Sequence, residues 1–173
     1  MTMGQVDLVE LALRHILALD GAASSNEQKM TSKHLSKIRS RAREIPSLIM
    51  ESGLVPGLLF YLSKTGAYEY KYAARTLSCI SGESSVEQST DMNKEKLDDG
   101  KFSYAVVSAA IICSLVQLGY LDKMPQDIHE AIGSLLDLRN SSEGVREIEA
   151  LASIEQYLIS LKRAAESLWE EEG

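Results

Sequence analysis

Apolar residues recur at helical spacing along nearly the whole chain, and nowhere do apolar and polar residues alternate long enough for a strand. Val6, Val9, Leu13, Ile16 and Leu17 make a first stripe, closed by Asp20-Gly21. A small, polar connector follows over residues 22–28. A second helix starts near Thr31 or Ser32, both able to cap it, and buries Leu35, Ile38, Ala42 and Ile45. Pro46 deletes a ladder hydrogen bond and is expected to bend that helix or divide it in two. Gly53 reads as a left-handed stop, and Pro56 falls in the first turn of the next helix, where its missing N–H costs little.

A fourth helix over residues 68–80 buries Tyr72, Ala73, Leu77 and Ile80. A fifth runs over 102–118 and stops at Gly119; a sixth covers 126–138, entered through Pro125. The last spans 143–169, with Val145, Ile148, Leu151, Ala152, Ile154, Leu158, Leu161, Ala165 and Leu168 facing inward. Between them, residues 81–100 turn to Ser, Glu, Asp and Lys, the composition of an exposed loop or a locally disordered segment. No fixed-period repeat is present. The expectation is an all-α protein: a compact helical bundle of six to seven helices in a single domain over residues 1–173, a length sufficient for one well-buried core.

The most apolar run, residues 105–118, is broken by Ser108, Ser114 and Gln117 and is shorter than the ~20 apolar residues a bilayer crossing needs. It reads as a central buried helix. No basic leader precedes Asp7 and Glu10, so the chain is expected to be soluble and cytoplasmic, without a membrane partner. In that compartment Cys79 and Cys113, both within apolar helical stretches, are expected to be reduced, buried thiols.

Catalytic signatures are missing. His15, His34 and His129 stand on three separate helices with neither an i+4 histidine nor a Cys-x-x-Cys partner, so surface or capping roles are expected and no metal site. Phosphate-binding glycine loops, nucleophile elbows and HExxH are absent. The carboxylates of Asp98-Asp99 and of residues 170–172 sit at chain punctuation, where solvation explains them. Asn140-Ser141-Ser142 matches a glycosylation sequon, which is idle in the cytosol. A non-enzyme without cofactors is the reading.

Charge is more informative. The chain carries a formal −7, yet residues 29–43 hold Lys29, Lys33, Lys37, Arg39, Arg41 and Arg43 with no acid among them. Lys29, Lys33, Lys37 and Arg41 are spaced by four, a slowly drifting stripe on one helix. Like charges so placed repel each other, unless an anion offsets them. A cation ladder suits a polyanion backbone followed without reading its sequence; the alternative is a solvated face paired with acids such as Glu27, Glu44 or another helix. A second cluster joins Lys64, Lys71 and Arg75 to Tyr61, Tyr68, Tyr70 and Tyr72, where tyrosines beside cations can stack on unpaired bases or simply pack. Lys162-Arg163 is a third, minor basic spot. Candidate RNA-contacting residues are therefore Lys29, Lys33, Lys37, Arg39, Arg41, Arg43, Lys71 and Arg75.

After the basic helix come Pro46-x-Leu48-Ile49, Gly53-Leu54 and Leu58-Leu59-Phe60. This order resembles the Pro-x-Leu-Ile, Asn-Gly-Leu and Leu-Ala-Phe signature of the small subunit of the type III-B CRISPR RNA-targeting effector, the Cmr complex. Ser52 stands where that family commonly has Asn, and Tyr61 where Leu is usual. The resemblance implies a non-catalytic building block of an antiviral ribonucleoprotein. Its implied partners are other Cmr effector subunits, copies of itself in a head-to-tail stack, target RNA and guide RNA. The signature is apolar, so it speaks for fold and packing; the RNA-contact residues come from the charge argument alone. Two other readings stay open: the small subunit of another CRISPR effector type, or a helical adaptor whose basic helix docks on an acidic protein.

Overall fold

The most apolar stretch of the chain becomes its innermost helix. The computed structural model describes residues 6–25, 30–79 and 96–171. In order these form α1 (Leu8–Ala23), α2 (Ser32–Ser52), α3 (Leu54–Ser63), α4 (Ala67–Thr76), α5 (Asp99–Gln117), α6 (Ile128–Asn140), a 3-10 turn (Ser141–Gly144) and α7 (Val145–Leu168). No strand occurs among the described residues, and the class is all-α as expected.

Around α5 pack α2, α3, α4, α7 and α1. Its Phe102, Val106, Ala109, Ile112 and Leu115 are all buried, and so are Ser103, Ser108 and Ser114. Those hydroxyls are satisfied within the helix by the carbonyls of Gly100, Tyr104 and Ile111. By length and composition α5 could cross a membrane, but most of it lies inside the protein, which is what an all-round apolar helix does at the centre of a bundle. It begins at Asp99 rather than Phe102 because the Asp98 carboxylate accepts from the Lys101 N–H (2.8 Å), a side-chain N-cap. It ends as expected at Gly119, whose φ is +85°.

The first helix turns a different face inward. Leu8, Ala12, His15, Ile16 and Leu19 are buried, while Val9, Leu13 and Leu17 are exposed. Both faces are apolar, so spacing alone selects neither; packing against α7 does. The helix also passes through Gly21 to Ala23 instead of stopping at Asp20-Gly21. His15, expected at the surface, is in the core. It pairs through Nδ1 with the Tyr157 hydroxyl at 2.7 Å, and burial lowers its pKa from 6.5 to about 4, keeping it neutral. At the far end of the chain the Trp169 indole donates to Asp20 Oδ1 (3.1 Å), fastening the end of α7 to α1.

Pro46 does not divide α2, which runs unbroken from Ser32 to Ser52. The proline leaves the Ala42 carbonyl without its usual N–H, and the buried Tyr61 hydroxyl donates to the neighbouring Arg41 carbonyl (3.0 Å). The hydroxyl thus serves the carbonyl next to the vacated one, and α2 stays continuous with the ladder bond from Pro46 missing. Gly53 ends α2, but with φ 99° and ψ 162° it is extended rather than left-handed helical, a backbone region open essentially to glycine. The Pro56 prediction holds: it lies in the first turn of α3. Glu147 of α7 reaches across to accept the Val55 N–H (3.0 Å), a carboxylate cap supplied by a distant helix. Gly57 lets α3 sit close on α2, since a Cβ there would stand 2.9 Å from Ile49 Cγ1.

Three further expectations are corrected. In α4 the buried tyrosine is Tyr70, which donates to the Pro125 carbonyl (3.0 Å); Tyr72 is only half-buried, and Ile80 lies outside the described residues, as do residues 80–95 of the expected loop. In α7, Ile154, Leu158, Leu161 and Ala165 face inward as expected, with Tyr157, but Val145, Ile148, Ala152 and Leu168 are exposed and Leu151 is only half-buried. The cysteines are joined: Cys79 and Cys113 form a disulfide with Cα atoms 5.9 Å apart. The sequence separation of 34 hid the proximity, because it depends on how α4 lies against α5.

Candidate nucleic-acid interface

The exposed side of α2 is set by its own periodicity. Leu35, Ile38, Ala42, Ile45 and Ile49 take the inward face, so the cations fall on the two flanks and the crest between them. The N-terminus is fixed by His34, whose Nδ1 accepts from the Thr31 N–H (3.0 Å) and whose Nε2 donates to the Leu97 carbonyl (2.9 Å). This is the capping role expected of a histidine, here with the ring buried.

Two rows of cations result instead of one ladder. Lys33, Lys37 and Arg41 follow the flank against α5. Lys33 and Lys37 lie 3.5 and 3.0 Å from Asp99 Oδ2, and the Arg41 guanidinium sits over the Tyr104 ring at 4.2 Å while bonding Glu44 (2.9 Å). The Lys37 hydrogen bond, helped by the charge of both lysines, lowers the Asp99 pKa from 3.8 to about 2. Arg39 and Arg43 follow the other flank, toward the end of α7. Both reach Glu171 Oε1 at 2.9 Å, and Arg43 Nε is 3.9 Å from Glu166. Arg39, then Arg43, holds the exposed Glu171 carboxyl below the usual carboxylate range.

Every described cation between Lys33 and Arg43 therefore has a carboxylate neighbour. Glu44 was foreseeable from the local sequence; Asp99 and Glu171 were not, being supplied by distant segments. Lys29 and Glu27 lie outside the described residues. Reachability differs along the rows. The Lys33 and Arg43 side chains are 61% and 57% exposed, whereas Arg39 is 14% exposed and Arg41 25%. The outer pair can meet a ligand without repacking; Arg39 and Arg41 are held against neighbouring side chains.

The second basic cluster keeps Lys71 and Arg75 together on α4 but loses its tyrosines to packing. Lys71 is exposed on α4 and Arg75 is half-buried, but the tyrosines beside them serve packing. Tyr70 and Tyr61 are core residues, and Tyr72 lies edge-on to Phe102 (5.6 Å), which also meets the His34 ring (5.9 Å). Lys64 instead stands over the Phe60 ring at 5.6 Å. Phe60 is 48% exposed and Leu59 is exposed too, so two members of the apolar signature look outward while Ile49, Leu54 and Leu58 build the core. A groove between α1 and α7 is lined by Val9, Leu13, Ile159 and Arg163, joining the unpartnered apolar face of α1 to the outer face of α7.

The profile of a family described as CRISPR-associated protein (Cas_Cmr5) matches residues 14–113, a span that includes the basic rows, the apolar signature and most of α5. Comparison with curated proteins finds no match. Among solved structures, a chain from the cryo-EM structure of the type III-B Cmr-beta complex bound to non-cognate target RNA superposes with a TM-score of 0.66 at 22% identity. That alignment covers 97% of this chain and 99% of that one. A chain from the Cmr-beta complex bound to cognate target RNA and AMPPnP, state 1, gives 0.63 at 22% identity, over 95% and 97%. At this identity the likeness is one of fold.

Proposed function

The chain belongs to the CRISPR-associated Cas_Cmr5 family, and from that premise we propose that it is the non-catalytic small subunit of a type III-B effector, contacting the RNA backbone through α2. The observation that carries the contact is the pair of exposed cations Lys33 and Arg43, which bound the basic stretch in the N-terminal half of α2 on its two flanks, with the less exposed cations between them. Such an arrangement holds phosphates by charge and leaves sequence recognition to base pairing. The superposable chains come from complexes bound to target RNA, which makes target RNA the first ligand to test. Lys37, Arg39 and Arg41 shape the potential over this face of α2 more than they touch the ligand, and Lys71 and Arg75 form a secondary contact.

Docking onto other effector subunits and onto copies of itself falls to the exposed apolar residues. Val9, Leu13, Leu17 and Ile159 lie along α1 and α7, and Met50, Phe60, Ile132 and Leu136 project from α2, α3 and α6. Two different patches of this kind suit a head-to-tail contact, which joins unlike surfaces of identical chains. The protein acts in the cytoplasm as a single helical domain and needs no cofactor for this role.

The test is binding of fluorescent single-stranded RNA across a salt series, for wild type and Lys33→Ala/Arg43→Ala, each alone and assembled with its co-purifying subunits. Affinity that falls with salt, less steeply in the variant, is the expected result. Binding unchanged by the substitutions would transfer α2 to a protein interface, and the adaptor reading, which the carboxylate partners of α2 favour, would replace this one.

A further inference from the structure

Three helices deliver soft or borderline ligands to one point in the interior. His15 comes from α1, Cys113 from the C-terminal part of α5, and Cys79 from the turn that ends α4; their ligand atoms all lie within 4.8 Å of one another. His15 Nε2 is 3.8 Å from Cys79 Sγ. Zn–N bonds of about 2.0–2.1 Å and Zn–S bonds of about 2.3 Å at a tetrahedral angle place two such ligands roughly 3.6 Å apart, so the imidazole and this sulfur already stand near coordination spacing. The other imidazole nitrogen is engaged by the fully buried Tyr157 hydroxyl at 2.7 Å. A metal-bound histidine characteristically has an outer partner of this kind, which fixes its ring and tautomer.

We propose that, once the disulfide is reduced, Cys79, Cys113 and His15 bind one Zn2+ in place of the S–S bond. Reduction breaks that bond with two electrons and two protons from a dithiol, itself oxidised to a disulfide. Binding of Zn2+ then displaces the two thiol protons to solvent. Two thiolates and a neutral imidazole balance the charge of a divalent cation, which a buried position requires. A monovalent soft cation would leave a negative charge in the core, so charge balance favours the divalent ion. A water molecule completes the tetrahedron. The metal-bound form ties α1, α4 and α5 together at one point, whereas the disulfide links only the end of α4 to α5. The site involves no residue of α2 and is independent of the RNA contact.

The experiment titrates Zn2+ into full-length protein treated with a phosphine reductant and stripped with chelator, against oxidised protein as the control that keeps every side chain. One Zn2+ per reduced chain, none per oxidised chain, and a metal-dependent rise in the reduced protein's melting temperature are expected. Co2+ in its place should show the thiolate charge-transfer absorption of a tetrahedral site. Cys79→Ser, at a half-exposed turn, should abolish binding with the circular dichroism unchanged, and Tyr157→Phe should weaken it about 10–100-fold. Folded, reduced wild-type protein that takes up no Zn2+, or that binds it equally well as Cys79→Ser, would overturn the proposal.

Discussion

The Lys37 ammonium stands 3.0 Å from Asp99 Oδ2, so a cation of α2 is held by the first turn of α5. Asp99 also faces the Lys33 ammonium and the positive end of its own helix, and its pKa falls to about 2. Because the folded value lies below the unfolded one, the stabilisation is complete above about pH 4 and is lost as the pH falls through about 2. Asp99→Asn should therefore lower stability at neutral pH by no more than about 1 kcal/mol, the pair being partly solvated. The deficit should shrink in melts recorded as the pH falls from about 4 toward 2 and vanish only below that.

Gly57→Ala sets two effects against each other. Alanine favours a helix interior by about 1 kcal/mol over glycine. The new methyl, however, would stand 2.9 Å from Ile49 Cγ1 in a buried contact, and overpacking of that kind costs about 1–3 kcal/mol. Urea denaturation should show net destabilisation of about 1 kcal/mol. A stabilised variant would mean that α2 and α3 separate freely.

Tyr61→Phe removes the hydroxyl that serves the Arg41 carbonyl beside Pro46. Phenylalanine keeps the ring, so the loss should be that of one hydrogen bond, about 1 kcal/mol. Amide exchange should accelerate in the middle of α2 more than at its ends, since the proline already thins the ladder there.

Reduction in the presence of chelator tests the disulfide by itself. A bridge closing 34 residues restricts the unfolded chain by about 3–4 kcal/mol in the chain-entropy account. The reduced, metal-free protein should melt at a distinctly lower temperature than the oxidised one, and Cys79→Ser should melt like the reduced form under both conditions.

Much of the architecture could be read from spacing because most helices have one apolar face. Gly119 stopped α5, Pro56 entered α3, and the stripe from Leu35 to Ile45 turned inward as read. Failure came where local chemistry was ambiguous or overridden. Leu8 and Val9 both begin apolar stripes on α1, and only contact with α7 chooses between them. Pro46 stays inside a continuous α2, a helix held along its inward face by packing against α5 and α7. The meeting of Cys79, Cys113 and His15 depends on the packing of three helices, as does the pairing of Arg39 with Glu171, 132 residues away. The cations of α2 and the local partner Glu44 were legible; the distant partners Asp99 and Glu171 were not.

Those partners change what an incoming polyanion would encounter. A phosphate approaching Arg39 or Arg43 finds Glu171 already there, and one approaching Lys37 finds Asp99. Binding is then an exchange of anions on a fixed set of cations. Fewer mobile counterions leave than the roughly 0.7 per phosphate expected when a bare lysine or arginine neutralises a single strand. The salt dependence of assembly should consequently understate the number of phosphates touched, and a carboxylate set free at each step becomes available to a neighbouring subunit.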